Sequence, residues 1–306
     1  MKLDRKIIIR NIIMLSLKNI CRDHIVYLFN QVDDMMKNKN STSMKNKILV
    51  NAFFEPSTRT SLSFETAMYR LGGNVITFNE NVSSIKKGES FEDTIKTLST
   101  YGDIMVLRHP EIGAVEKASK ISNIPIINAG DGSGQHPTQA LLDLYTIYRT
   151  FPELKNLNIL FIGDIEKSRT IHSLVEIFTL YPLNKLHFLA FNNCLPNEDI
   201  LYNISLNHKQ NIDGIIIQPD QLDISLYDVV YVTRLQKERH CSSVESNFIL
   251  TPEMVSKMKE KSIIMHPLPR NKELPTTIDM DKRTVYFEQM KYGVYIRMAL
   301  LEQLTN

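Results

Sequence analysis

The chain has 306 residues, enough for two domains of about 150 residues each, and its mix of apolar and charged residues fits a globular protein. A formal net charge of +2, without a block of Lys or Arg, excludes a nucleic-acid partner held by global charge, so any anion must be met by a local pocket. Cys21, Cys194 and Cys241 are scattered, with no CxxC or Cys/His cluster, which points to reduced thiols in a cytoplasmic protein and to no metal site. No apolar run approaches the length of about 18 residues that a membrane span needs, and the N-terminus carries no cleavage-site pattern of a signal peptide.

Asp23 is the expected cap of a first helix, in which Ile25, Leu28, Phe29, Val32 and Met36 recur at helical spacing. The polar run 37–47 reads as a surface loop. An apolar strand at 48–54 then leads through Glu55-Pro56-Ser57-Thr58-Arg59-Thr60 into a helix. Phe64, Ala67, Met68 and Leu71 form one face of it, and Gly72-Gly73 ends it. The alternation continues with a strand at 75–78, a capped helix at 90–101, and strands at 104–107 and 124–128. A Gly-rich turn at 129–135 and a helix at 137–148 follow. Phe151-Pro152 breaks the pattern, and a second series brings strands at 157–162, 186–191, 214–218, 229–233 and 262–265, with a last helix at 292–304. This βα alternation predicts an α/β fold of two doubly wound parallel-sheet domains, the boundary falling near residues 137–152.

Ser57-Thr58-Arg59-Thr60 sits where a strand ends and a helix starts. The first N–H groups of a helix lack intrahelical partners and the dipole there favours negative charge, so hydroxyls and a guanidinium at that spot suit a phosphate. A plain N-cap with a solvated Arg59 is the competing reading. Arg108, His136 with Gln139, and Arg169 follow other strand ends, at the sheet edge where open α/β folds bind ligands. A lone Arg or His at such a place is commonly structural; several at equivalent positions make that reading weaker.

Phe53-Phe54-Glu55-Pro56-Ser57-Thr58-Arg59-Thr60, with Ser63-Phe64-Glu65 after it, resembles the phosphate motif of the carbamoyltransferase family. Gln135-His136-Pro137-Thr138-Gln139 resembles that family's carbamoyl-binding motif. Three further segments resemble the aspartate branch of the family: the mobile loop Ser83-Ser84-Ile85-Lys86-Lys87-Gly88-Glu89, the acceptor loop Thr233-Arg234-Leu235-Gln236-Lys237-Glu238-Arg239, and His266-Pro267-Leu268-Pro269-Arg270. The ornithine branch has His-Cys-Leu-Pro in place of the last. The resemblance covers essentially the whole chain.

The resemblance implies transfer of the carbamoyl group of carbamoyl phosphate to the amine of L-aspartate, early in pyrimidine biosynthesis, without metal or organic cofactor. It assigns residues 1–137 with 288–306 to a carbamoyl-phosphate-binding domain, on which the C-terminal helix packs back, and 138–287 to an aspartate-binding domain. Ser57, Thr58, Arg59 and Thr60 then hold the phosphate, while Arg108 bridges the phosphate and the carbamoyl oxygen. His136 donates to that oxygen, and Gln139 with the carbonyls of Leu268 and Pro269 receives the carbamoyl NH2, helped by a cis Leu-Pro bond. Arg169, Arg234, Gln236 and Lys87 meet the two aspartate carboxylates, and Arg239 is read as a structural ion-pair partner. By the same resemblance Ser83 and Lys87 reach the active site of a neighbouring subunit, which implies a homotrimer. Relatives work as bare trimers or joined to separate zinc-containing regulatory chains, so such a chain is an admissible partner. Ser61 stands where many relatives have a second Arg, Lys167-Ser168 where the enteric bacterial type has Tyr-Gly, and Tyr292 where an Asn is common.

Three rival readings are weaker. An ornithine enzyme is opposed by Lys87 and by the 266–270 loop. A non-catalytic scaffold is opposed by the retention of Arg59, Lys87, His136 and Arg234. A dinucleotide-binding oxidoreductase is opposed by Gly163-Asp164-Ile165-Glu166-Lys167-Ser168, which lacks GxGxxG after its strand.

Overall fold

A computed structural model describes residues 16–18, 20–38, 41–79, 84–132, 134–189, 195–211, 214–236 and 248–305. Ser83, residues 190–191 of the expected strand, Cys194, Cys241 and residues 237–239 of the acceptor loop lie outside the described residues. The chain divides into two compact units, Met1–Leu141 with Lys291–Asn306, and Leu142–Met290. Among the described residues, no helix is long and apolar enough to cross a membrane.

The first unit opens with α1 (Arg22–Lys37), then β1 (Ile48–Phe53), α2 (Thr58–Arg70), β2 (Asn74–Asn79), a single 3-10 turn (Ser84–Lys87), α3 (Phe91–Ser99), β3 (Ile104–His109), α4 (Ala114–Ile121) and β4 (Ile126–Asp131). Its sheet runs β2-β1-β3-β4 and every pairing is parallel. Leu49, Val50 and Ala52 of β1 and 104–107 of β3 are buried, as expected of central parallel strands covered on both faces. Phe54, Ile95, Leu98, Val115 and Ala118 complete the core beside them.

The second unit holds β5 (Asn158–Ile162), α6 (Arg169–Phe178), β6 (Lys185–Leu189), α7 (Glu198–His208), β7 (Ile216–Ile217), β8 (Val229–Val232), α8 (Pro252–Lys257) and β9 (Ile263–Met265). Its sheet runs β7-β6-β5-β8-β9, again all parallel. The division between the units falls within α5 (Pro137–Thr150) and within α9 (Tyr286–Thr305). The C-terminal part of α9 belongs to the first unit, where Arg70 lies 5.3 Å over the Tyr295 ring and Arg297 5.1 Å over Phe64.

Several expectations shift at element ends. Asp23 is not the cap of α1: Cys21 occupies the N-cap with no side-chain bond, and Asp23 adds negative charge in the first turn. Ser90 does cap α3, its Oγ accepting from the Asp93 N–H at 3.1 Å. The expected Gly-rich turn is shorter, because β4 runs on through Ala129, Gly130 and Asp131 before Gly132 (φ 54°) turns the chain. The last helix starts at Tyr286, six residues before the expected 292, because Gln289 faces inward and breaks the apolar periodicity while itself fully buried.

Candidate active site

In each sheet the strand order reverses once, between β1 and β3 in the first unit and between β5 and β8 in the second. At such a reversal the following helices leave on opposite faces, and the carboxyl ends of the two strands frame a crevice for ligands. Most of the residues singled out in the sequence come to these two places.

In the first unit, β1 ends at Phe53 opposite Arg108 of β3, and the Phe54 N–H continues the ladder onto the Arg108 carbonyl at 2.9 Å. Phe54 packs on Phe78, Phe91 and His109 with ring centroids 5.0, 5.6 and 5.1 Å away, which anchors the chain just before the 55–60 turn. Ser57 is the N-cap of α2, in extended conformation, with no capping bond from its side chain. Its hydroxyl instead accepts from Arg108 Nη1 at 3.2 Å. Ser57 thus holds the N-cap position while its hydroxyl faces the neighbouring strand end and not its own helix.

Arg108 is the second-last residue of β3, one place inside the strand whose end was expected before it. Its Nε donates to Glu55 Oε1 at 3.1 Å and its Nη2 forms an ion pair with the same carboxylate. Sequence reasoning left Glu55 without a role, although it stands inside the motif. Thr58 and Arg59 are exposed in the first turn of α2, whereas Thr60 is buried. Ser61 faces inward to Asn51, which donates to its Oγ at 2.9 Å and to Glu65 Oε1 at 2.9 Å; Glu65 also accepts from Thr77 at 3.1 Å. A neutral serine thus fits this position as a strut between β1 and α2.

His136 and Gln139 begin α5 and are both buried. The Gln139 and Ala140 N–H groups donate to the His136 carbonyl at 3.0 and 3.2 Å, so the ring and the amide share one helical turn. Gln135 is drawn the other way, its Oε1 accepting from the Leu17 N–H at 3.2 Å. Lys87 ends the 3-10 turn and is exposed.

In the second unit, Gly163 follows β5 with φ 117°, and a Cβ placed on it would lie 2.1 Å from the Thr233 carbonyl oxygen. The absence of a side chain lets the loop after β8 lie against the loop after β5. Asp164, fully buried, ties the two together: its Oδ1 accepts from the Lys167 N–H at 3.1 Å and its Oδ2 from the Gln236 N–H at 2.9 Å. Gln236 returns a bond from Nε2 to the Lys167 carbonyl at 3.2 Å. Arg169, 5% exposed, is the first residue of α6, and Arg234 is half-buried after β8, with Nη1 on the Leu235 carbonyl at 3.2 Å. His172 braces the same turn through Nε2 and the Ile165 carbonyl at 2.7 Å; burial pushes its pKa down, which keeps the ring neutral.

This clamp gives a clean test. Gly163→Ala is expected to destabilise the protein by about 2–4 kcal/mol, combining left-handed backbone strain with a backbone clash. Gly214→Ala, where nothing lies within 4 Å of the added Cβ, serves as control. Urea unfolding followed by circular dichroism reads both; equal midpoints would show that the two loops do not constrain each other through Gly163.

The third segment of the second unit follows β9. The Leu268–Pro269 peptide is cis, and Leu268 itself has φ 55°. Arg270 closes the segment, with Nη2 on Asp279 Oδ2 at 2.7 Å and its guanidinium over the rings of Tyr286 and Phe287 at 5.4 and 5.7 Å. The Arg270 hydrogen bond holds Asp279 below the usual carboxylate range, and burial followed by the Asp279 contact pushes Tyr286 up to about 12.

A family profile described as "Aspartate/ornithine carbamoyltransferase, carbamoyl-P binding domain" matches residues 13–149, and its partner, "Asp/Orn binding domain", matches 155–304. The chain is 42% identical over 306 residues to an aspartate carbamoyltransferase catalytic subunit of Methanococcus vannielii, covering 96% of this chain and 98% of that one. It is 44% identical over 299 residues to the multifunctional protein CAD of Squalus acanthias, covering 94% of this chain but only 13% of the length of that protein. Among solved structures, an aspartate transcarbamoylase of Trypanosoma cruzi in complex with aspartate and phosphate superposes with a TM-score of 0.86 at 38% identity, covering 94% of this chain and 93% of that one.

Proposed function

The chain belongs to the aspartate/ornithine carbamoyltransferase family, and from that premise we propose that it is an aspartate carbamoyltransferase. It transfers the carbamoyl group of carbamoyl phosphate to the amine of L-aspartate, giving N-carbamoyl-L-aspartate and phosphate, a step of pyrimidine biosynthesis. The observation that carries the reading is the meeting of Arg108 with Ser57 at the start of α2, where strand order reverses.

The division of labour follows from charge. Ser57, Thr58, Arg59 and Thr60 hold the phosphate at the N-terminus of α2, where orphan N–H groups and the helix dipole favour an anion. Glu55 keeps the Arg108 fork oriented until the phosphate dianion competes for it. The aspartate amine attacks the carbamoyl carbon, the carbonyl oxygen gains negative charge, and Arg108, His136 and Thr60 stabilise it. Each such donor contributes about 3–4 kcal/mol to lowering the barrier. Collapse expels phosphate, which accepts the proton lost by the attacking nitrogen. Gln139 and the carbonyls of Leu268 and Pro269 receive the carbamoyl NH2. Arg169 and Arg234, with Gln236 and Lys87, meet the two carboxylates of aspartate, which planar guanidinium groups suit better than ammonium groups do.

The working assembly is a homotrimer in the cytoplasm, in which Ser83 and Lys87 act on a neighbour's active site. Family membership supports this, and so does the surface of the first unit. Parallel strands are ordinarily covered on both faces, yet β2 is exposed along most of its length, with Ile76 37% exposed and Leu62 and Tyr69 of α2 54% and 60% exposed. A zinc-containing regulatory chain remains an admissible further partner.

Purified protein of measured subunit mass, supplied with carbamoyl phosphate and either L-aspartate or L-ornithine, provides the test. Carbamoyl aspartate formed by a species of three chains is expected. Product from ornithine alone would overturn the reading of the 266–270 loop, and no product from either would put the scaffold reading first.

A further inference from the structure

Within the second unit a line of buried polar side chains ends on the loop that carries Leu268 and Pro269. Tyr231 donates its hydroxyl to Asp143 Oδ2 at 2.6 Å, and Gln289 Nε2 donates to Asp143 Oδ1 at 2.6 Å. The Gln289 carbonyl oxygen accepts the His266 backbone N–H at 3.1 Å. The His266 Nδ1 accepts the Leu268 N–H at 2.8 Å, and its Nε2 lies 3.1 Å from Glu273 Oε1, which also accepts the Asn271 N–H at 2.7 Å. Tyr231, Asp143, Gln289 and His266 are fully buried and Glu273 is 9% exposed.

The direction of each bond is dictated by the carboxylates at the two ends, which only accept. Asp143 takes the NH2 of Gln289, so the amide must turn its oxygen to His266. Because Leu268 donates to Nδ1, the imidazole proton sits on Nε2 and points at Glu273. Burial works against the Glu273 charge, but the bonds from His266 and the Asn271 N–H outweigh it and hold its pKa below the usual glutamate value. Three backbone N–H groups of the loop, at 266, 268 and 271, are thereby pinned. Leu268 is held in the left-handed region, which a leucine adopts only where its surroundings over-determine it.

We propose that Asp143 and Gln289 are positioning residues for carbamoyl recognition: acting through His266, they fix the aim of the Leu268 and Pro269 carbonyls. This rests on the reading that those carbonyls receive the carbamoyl NH2. A purely stabilising role could be filled by apolar side chains; a chain of bonds with one polarity, leading from α5 through α9 to a strained loop, sets an orientation.

The test exchanges the two groups in the full-length assembled enzyme. In Gln289→Glu two carboxylates face each other, whereas in Asp143→Asn the amide oxygen still takes the Gln289 NH2 and the new NH2 donates to the Tyr231 hydroxyl, which can accept as well as donate. The double variant Asp143→Asn/Gln289→Glu restores every donor to an acceptor at unchanged net charge. Gln289→Glu alone is expected to raise the KM for carbamoyl phosphate about tenfold or more, while the inhibition constant for inorganic phosphate, which has no NH2, moves less than about twofold. The double is expected to return to within about threefold of wild type.

A wild-type KM in Gln289→Glu overturns the proposal. So does a parallel rise in both constants, which marks general loosening, or a double no better than Gln289→Glu alone. Where Gln289→Glu does not fold, the double decides alone: a wild-type KM supports the proposal and a raised one overturns it. Wild type guards the underlying reading: if it forms no carbamoyl aspartate, that reading falls and the proposal with it, whereas an active wild type with an unaltered Gln289→Glu variant removes the proposal only.

Discussion

Arg59→Ala is expected to lower turnover about 100- to 1,000-fold or more while the protein stays folded and assembled. A single donor aimed at charge that develops in the transition state contributes about 3–4 kcal/mol, and each 1.36 kcal/mol corresponds to about tenfold in rate. Arg59 carries a full positive charge at the second residue of α2, where the proposed function puts the departing phosphate, so on that reading its loss falls on the reacting end of the substrate. The fold has little stake in it, because the side chain is exposed and alanine is the better helix former. Steady-state rates with unfolding midpoints check both halves. Wild-type-like turnover would remove the phosphate cradle, and a shifted midpoint or broken assembly would mark Arg59 as structural. Arg59→Lys is expected to recover little, because an ammonium lacks the fork that engages two phosphate oxygens.

What the sequence disclosed follows how local each feature is. The turn from β1 into α2 was legible because its four residues are contiguous and the physics of a helix N-terminus is local. The two sheets were legible as βα alternation, but their strand orders were not, since pairing β1 with β3 or β5 with β8 joins residues far apart in the chain. Those orders place Arg108 beside Ser57, and the loop after β8 beside the loop after β5. Glu55 went unassigned because its partner Arg108 is 53 positions away. The Asp143–Gln289 bond spans 146 positions. Its only trace was a carboxylate inside the apolar run Leu141-Leu142-Asp143-Leu144-Tyr145, a break in pattern that a buried helix tolerates only where the charge is bonded. The same physics hid the start of α9: buried polar Gln289 made its first two turns look unlike a core helix.

Two inactive variants are expected to restore one another when their chains are mixed. If each active site takes Arg59 from one chain and Lys87 from its neighbour, Arg59→Ala and Lys87→Gln homotrimers contain only damaged sites. In random hybrids a site is intact when its own chain keeps Arg59 and the adjoining chain keeps Lys87. Each condition is met half the time, so up to roughly a quarter of sites regain wild-type composition. Lys87 suits this role: it is exposed at the end of the 3-10 turn that follows β2, itself a largely exposed strand. Arg59→Ala mixed with His136→Ala is the control, because on the proposed reading both residues come from one chain and no hybrid site has both. Co-expressed pairs purified through two different tags would give the answer in one assay. Recovery confined to the Lys87 pairing establishes shared sites; no recovery in either returns Lys87 to its own subunit, and recovery in both would mean that the residues assigned to one chain are themselves divided between neighbours.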